Sequence, residues 1–177
     1  MVVTVPSSPL GHRAATSGRV AGLHHVAVTA SDLDRSIHFY RDLLGLPLLA
    51  QGESDGPEMS AITGLEDVRL RWAEFDLGDD QLLELLEYIS PRGKRLVQRT
   101  CDPGSAHIAL AVYDLDELRG RLVAGGMQAR SDAVTIEEPG HWYGVRSVYV
   151  LDPDGVTVEL VEEPSRSRQG RRKRTAS

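Results

Sequence analysis

The sequence predicts an α+β fold in which two βαβββ modules stand in tandem and form a curved mixed sheet around a shared metal-binding cavity. Three observations predict it. An early strand in each half carries a histidine, His25 and His107, and a later strand carries a glutamate, Glu84 and Glu159. Each early strand leads to an Asp-Leu-Asp that begins a helical pattern ending at glycine. The matching positions lie roughly 75 to 82 residues apart, far more than in a solenoid repeat, so we interpret them as an internal duplication.

Length, composition and charge limit the class of protein. The chain of 177 residues can form one domain, or two small modules that share a core. With 41% hydrophobic and 26% charged residues it has the composition of an ordinary globular protein. Its formal net charge of −6 argues against a nucleic-acid partner for the folded domain.

Cysteine content and hydropathy indicate a compartment. The single cysteine, Cys101, excludes an internal disulfide and fits a reducing environment. No apolar run approaches the roughly 20 residues that span a membrane, and the N-terminus lacks the pattern of a secretory signal. We therefore expect a cytoplasmic protein with no membrane partner.

The domain boundaries follow from local composition. Residues 1–20 are rich in Ser, Pro, Thr and Gly without periodicity, which predicts a disordered N-terminal segment. The folded domain is expected over 21–164, with module one at 22–90 and module two at 104–163. Residues 165–177 predict a basic, disordered and solvated tail.

The predicted elements of module one follow from periodicity and turn signals. They are a strand over 22–29, a helix over 31–44 capped by Ser31 or Asp32, a strand over 47–52, a loop over 53–64, and strands over 68–77 and 81–88. Alternation in the last strand places Leu83 and Leu85 toward the core and Glu84 toward the cavity. Glu87, on the core parity but near the strand end, is expected to be solvated.

Module two repeats this order with a longer loop. Its predicted elements are a strand at His107, a helix over 114–125, a strand over 127–134, a loop over 135–144, and a hairpin of 145–151 with 157–162. Asp114-x-x-Glu117 has the form of a capping box, and Asp152-Pro153-Asp154-Gly155 is a strong turn signal.

Side-chain size suggests which face lines the cavity. One face of each early strand carries branched residues, whereas the other carries the histidine followed by small residues, which leave room for a ligand. By the same alternation, Trp72 and Tyr149 face the cavity, while Phe75 and Val148 face the helices.

The four residues at matched positions suit a metal. His25, Glu84, His107 and Glu159 supply two imidazoles and two carboxylates, the donors that a divalent Zn, Ni, Co, Mn or Fe ion accepts. An ionised carboxylate in an apolar trough is costly alone, and a divalent cation removes that cost. The pattern therefore predicts a metal centre between the two modules.

Several motifs carry a resemblance to a known family. LHHVAVTASDLDRSIHFYRDLLGLPL, LLELLEY, AHIALAV with DLDEL, and YVLDPDGVTVELVE resemble the vicinal oxygen chelate superfamily across about residues 22–163. That superfamily includes glyoxalase I, methylmalonyl-CoA epimerase, extradiol dioxygenases, fosfomycin-resistance transferases and bleomycin-binding proteins. The resemblance implies a metal on the four residues named above, a small-molecule substrate that chelates it through neighbouring oxygens, and a homodimer.

We interpret the resemblance as favouring the glyoxalase and epimerase branch of the superfamily. There all four positions are ligands, the metal stabilises an enolate-like species, and Glu84 or Glu159 acts as the catalytic carboxylate that moves a proton. Tyr149, Trp72 and His141 are the expected substrate contacts.

Two alternatives stay open. An extradiol-type dioxygenase would use His25, His107 and Glu159 on Fe(II), and the run from His141 to Glu159 comes close to its signature. A non-catalytic module that sequesters an antibiotic would use the aromatic side chains, although the retained metal-type residues argue against it.

Overall fold

The computed structural model describes residues 18–164. The disorder expected for residues 1–17 and for the tail 165–177 lies outside the described residues. Residues 18–20 are exposed and belong to no helix or strand. No helix within 18–164 is long and apolar enough to cross a membrane.

Each module forms its own four-stranded sheet. Module one contains β1 (His25–Thr29), α1 (Leu33–Ile37) continued by a π-helical segment (His38–Leu43), β2 (Leu48–Asp55), α2 (Pro57–Thr63), β3 (Arg69–Gly78) and β4 (Gln81–Ser90). Module two contains β5 (His107–Ala111), α3 (Leu115–Ala124), β6 (Val134–Thr135), β7 (Arg146–Leu151) and β8 (Thr157–Glu162). The strand orders are β1-β4-β3-β2 and β5-β8-β7-β6.

The pairing pattern is the same in both sheets. The first strand of each module runs parallel to the last strand, and the remaining pairs are antiparallel. This arrangement confirms the predicted tandem of βαβββ modules with mixed sheets. Within the described chain, every strand pair joins strands of one module.

One apolar core is shared by the modules. It contains alternate residues of the late strands and the buried faces of the helices, among them Leu83, Leu85, Leu115, Val158 and Leu160. The predicted parity is confirmed on β3 and β7, since Phe75 and Val148 are buried while Trp72 and Tyr149 are partly exposed.

The turn between β7 and β8 joins the two modules. The Asp154 carboxylate accepts hydrogen bonds from the backbone N–H of Ser31 at 2.8 Å and from the guanidinium of Arg35 at 2.9 Å. Next to it, the buried hydroxyl of Tyr40 donates to Asp152 at 3.2 Å. The turn predicted from its Asp-Pro-Asp-Gly sequence is therefore also the main polar contact between the modules.

The first predicted helix is real but changes type partway. Asp32 caps it as predicted, because its carboxylate accepts a hydrogen bond from the N–H of Arg35 at 3.0 Å. From His38 the turns widen, and the N–H of Leu44 bonds the carbonyl of Phe39. As a result Phe39 and Tyr40, neighbours in sequence, are both buried.

The prediction of a loop over 53–64 is wrong. Strand β2 extends to Asp55, and α2 occupies most of the remainder. Pro57 starts this helix at a position that needs no N–H donor, and Gly64 ends it with a left-handed φ of 70°. Both residues are recognisable in the sequence, Pro57 as a helix start signal and Gly64 as a helix stop signal.

Two predictions in module two are also wrong. The strand expected over 127–134 shrinks to Val134–Thr135 and one isolated bridge from Ala129 to Val150. Asp114 makes no side-chain cap, because its backbone adopts a left-handed φ of 54° at the start of α3.

Glu87 is buried, contrary to the prediction that it is solvated. It accepts hydrogen bonds from Arg71 at 3.1 Å and from the N–H of Leu33 at 3.3 Å, so it ties β4 to the start of α1. Glu162 repeats this arrangement with Arg146 at 3.0 Å and the N–H of Leu115 at 3.4 Å. The duplication therefore includes an ion pair with a mostly buried carboxylate that links each sheet to its helix.

Candidate metal centre

The first histidine and glutamate meet on the outer face of the first sheet. His25 begins β1, and Glu84 lies on the adjacent strand β4 opposite Ala27. The His25 Nε2 atom is 3.5 Å from the Glu84 Oε2 atom, with 41% of the histidine and 23% of the glutamate side chain exposed. We call these two residues the first pair.

The second pair repeats this geometry. His107 begins β5, and Glu159 lies on β8 opposite Ala109. The Nε2 to Oε2 distance is 3.2 Å, and the side chains are 43% and 22% exposed. In both modules a small alanine opposite the glutamate leaves space, so the imidazole can reach the carboxylate from two residues away on the neighbouring strand.

The two pairs do not converge within one chain. No three His, Cys, Asp or Glu side chains among residues 18–164 form a group that could hold a metal ion. The structure therefore brings each histidine to the glutamate of its own module, and a metal centre of all four side chains stays a prediction. Strand parity fixes the face of its own sheet that a residue occupies. It does not fix how two sheets are oriented, which here depends on the shared core and the Asp154 contact.

His25 has a neighbouring imidazole, His24, that the sequence patterns did not single out. The Nδ1 atoms of His24 and His25 lie 2.8 Å apart, within hydrogen-bond distance. A hydrogen bond at one ring nitrogen fixes the tautomer and orientation of an imidazole and leaves the other nitrogen to bind a metal. The adjacent position of His24 in the sequence was the available signal.

The second glutamate has a tether that the first lacks. The hydroxyl of Ser147 donates to Glu159 Oε1 at 2.6 Å, and the ring of Tyr149 lies 5.5 Å from that of His107. Ser147 shares the strand parity of Tyr149, so alternation on β7 could have identified it. Within the described chain, the only polar contact found for Glu84 is the one with His25.

The residues opposite the two glutamates on the neighbouring strands differ. Glu74 stands directly opposite Glu84, whereas Tyr149 stands opposite Glu159. Trp72 lies on the same face as Glu84, and its indole N–H donates to Ser54 at 3.1 Å. The first face is therefore more acidic, and the second is more aromatic around its histidine.

The remaining predicted contact residue lies elsewhere. His141 is exposed in the turn before β7 and meets the ring of Trp142 edge-on at 5.4 Å. The structure thus places Trp72 and Tyr149 on the faces that carry the pairs, whereas His141 lies in an exposed turn.

The donor set fits a divalent metal in type but is incomplete in number. Imidazole Nε2 and carboxylate oxygen are the donors that zinc and similar ions prefer. A tightly held ion takes three or four such protein ligands, whereas each pair supplies two. Each pair therefore supplies only half of the ligands that such an ion takes.

Comparison with known proteins identifies the family. Residues 22–160 match the model of the Glyoxalase/Bleomycin resistance protein/Dioxygenase superfamily. A 2-epi-5-epi-valiolone epimerase from Actinomyces sp is 35% identical over 84% of this chain and 82% of its own length. A lactoylglutathione lyase from Haemophilus influenzae is 30% identical over 80% of this chain and 92% of its own. A glyoxalase family protein from Bacillus cereus has the same fold, with a TM-score of 0.75, 22% identity, and 85% of this chain and 99% of that chain covered. The chain therefore belongs to the glyoxalase, bleomycin resistance protein and dioxygenase superfamily.

Proposed function

We propose that this protein is a metal-dependent lyase or isomerase of the glyoxalase type, which moves a proton on an oxygenated small molecule. The observation that carries the proposal is the recurrence of the His–Glu pair in the same strand register of both modules. The similarity to an epimerase and to a lactoylglutathione lyase supports it. All four family ligand positions hold a metal-type residue, which favours this reaction over a three-ligand dioxygenase.

We infer that the complete site is formed by two copies of the chain. The first pair of one copy would face the second pair of another, so that His25, Glu84, His107 and Glu159 together hold one ion. A symmetric dimer would create two such sites. When bound, a divalent ion would act as a Lewis acid for neighbouring substrate oxygens.

The carboxylates then take different roles. The Ser147 hydroxyl restrains one oxygen of Glu159 and thereby favours a fixed ligand. Glu84 has no such tether in the described structure, so its carboxylate is freer to move and would accept a proton from the substrate carbon. We therefore assign proton transfer to Glu84 and a holding role to Glu159.

The reaction class can be tested with the compounds that the relatives' names specify. Protein purified without chelator is incubated in D₂O with 2-epi-5-epi-valiolone or with S-lactoylglutathione, and NMR follows deuterium entering carbon positions. Metal-dependent deuterium incorporation is the expected result. Consumption of O₂ without deuterium incorporation would show a dioxygenase instead. Binding of the compounds by a protein that holds no metal and causes no turnover would show a binding module.

The division of roles has its own test. We expect Glu84→Gln to lose at least about 100-fold in turnover, since general acid–base catalysis contributes on the order of 10² to 10⁴. Ser147→Ala should weaken metal binding about 10-fold while retaining turnover at saturating metal. The exposed Glu138→Gln is the matched control and should change neither. Equal loss of turnover in Ser147→Ala and Glu84→Gln at saturating metal would contradict the division.

A further inference from the structure

A cavity lies beneath residues 91–103, the linker that joins the two modules. It has a volume of about 610 Å³, within the usual range for small-molecule sites, which is roughly 300–1,000 Å³. Its walls are the edge strand β1, the start of β5 and the turn after Asp154, and the exposed linker borders its remaining side. Tyr88, Val28 and Ile108 contribute apolar surface.

The charges that line this cavity are mostly positive. Four linker residues contribute cationic side chains: Arg92, Lys94, Arg95 and Arg99. Among the lining residues the single carboxylate, Asp154, already accepts hydrogen bonds from Ser31 and Arg35. This concentration is unusual in a chain whose formal net charge is −6.

Most of the cationic groups are not neutralised by neighbours. Arg99 is paired with Asp102 at 2.7 Å. Arg95 donates to the backbone carbonyl of Asp154 at 3.3 Å. Arg92 and Lys94 make no ion pair or hydrogen bond within the described part of the chain. Because β1 is the edge strand of its sheet, alternate backbone N–H groups on its outer edge have no strand partner among residues 18–164.

We propose that this cavity binds the oxyanion group, phosphoryl or carboxylate, of a small-molecule ligand. Arg92, Lys94 and Arg95 would donate charge-assisted hydrogen bonds to the anionic oxygens. His107 lines the same cavity, so the remainder of the ligand would extend toward the second pair. That last step rests on the proposed function, whereas the anion site itself does not.

Calorimetry on dialysed, metal-free protein tests the anion site directly. The probes are inorganic phosphate and succinate, each titrated against a sodium chloride blank of equal ionic strength. We expect one of them to bind, and the probe that binds indicates whether the anionic group is phosphoryl or carboxylate. Arg92→Gln combined with Lys94→Gln should weaken that binding about 10-fold or more, because each substitution removes a charge-assisted hydrogen bond to the anion.

The matched control removes the same two positive charges at positions outside the cavity. Arg19→Gln combined with Arg130→Gln alters two exposed arginines that do not line the cavity, and should leave affinity within about twofold. No binding of either probe, or equal weakening in both double variants, would overturn the proposal. Because the titration uses metal-free protein, failure of the metal proposal and failure of this site are separable.

Discussion

Glu87 and Glu162 occupy the same place in the two modules, each held by an arginine of the neighbouring strand. The same arginines reach a helix aspartate, Arg71 to Asp34 at 2.9 Å and Arg146 to Asp116 at 2.8 Å. The guanidinium of Arg71 accordingly lowers the pKa of Asp34. Because the glutamates are mostly buried, their contribution depends on a cation remaining beside them.

Removal of either arginine should destabilise the fold. We expect Arg71→Met and Arg146→Met each to lower the free energy of unfolding by roughly 1–3 kcal/mol, because a mostly buried carboxylate loses its partner. Urea denaturation measures this change. Arg69→Met, on an exposed residue of the same strand, should stay within about 0.5 kcal/mol. Equal effects for Arg69 and Arg71 would contradict a structural role for the pair.

Asp152 should make stability depend on pH. Burial raises the pKa of Asp152, and hydrogen bonds from the backbone N–H groups of Val156 and Asp154 oppose this only in part. Between the ordinary value of 3.8 and the raised folded value, the folded state binds more protons than the unfolded state. This contribution to the free energy of unfolding is therefore present at low pH and is lost as pH rises through the folded pKa.

The matched comparison is with Asp152→Asn, which cannot titrate. Denaturation of both proteins across about pH 4 to 7 should show wild type losing stability relative to the variant as pH rises. A difference that is flat, or that grows in favour of wild type, would contradict a raised pKa at Asp152.

At the scale of elements, strands β2 and β3 pack closely against each other at Gly52. A Cβ atom added at Gly52 would lie 2.8 Å from Cζ2 of Trp72, so the indole lies directly on the backbone of β2. The indole also donates to Ser54 on that strand. A side chain at position 52 must therefore displace the ring.

Two glycine substitutions should have opposite effects. Gly52→Ala should destabilise by about 1–3 kcal/mol through overpacking, with a shift in tryptophan fluorescence. Gly120→Ala, inside α3 where an added Cβ meets nothing within 4 Å, should stabilise by about 0.4–1 kcal/mol. Denaturant titration with fluorescence measures both. A neutral Gly52→Ala with unchanged fluorescence would show that Trp72 is not packed on β2.

Sequence patterns predicted the elements best where a two-residue period ran through a long strand. That period placed Phe75 and Trp72 on opposite faces of β3, and Glu84 on the face of β4 opposite to the buried Leu83 and Leu85. It failed in the region of β6, where Ala129 makes only an isolated bridge. The two-residue period also gave no indication of α2, whose ends are marked instead by Pro57 and Gly64.

At the scale of the whole molecule, the orientation of the modules could not be read from local patterns. It depends on contacts such as Asp154 with Ser31 and Tyr40 with Asp152, which join residues more than a hundred positions apart. Each His–Glu pair was predictable because its members lie on adjacent strands of one sheet. Whether the two pairs meet is a question of packing between modules, and within one chain they do not.

The most direct test of the two-copy site mixes His25→Ala and His107→Ala proteins, each purified separately and unable to hold the ion. After subunit exchange under mild denaturant, equilibrium dialysis with elemental analysis measures bound Zn²⁺ or Co²⁺. In a mixed dimer one site carries both substitutions, and the other site carries neither. Random exchange should therefore restore about a quarter of the wild-type metal content, because half the dimers are mixed and each has one intact site. Metal content that stays at the level of the separate variants after proven exchange would contradict a site shared between two copies.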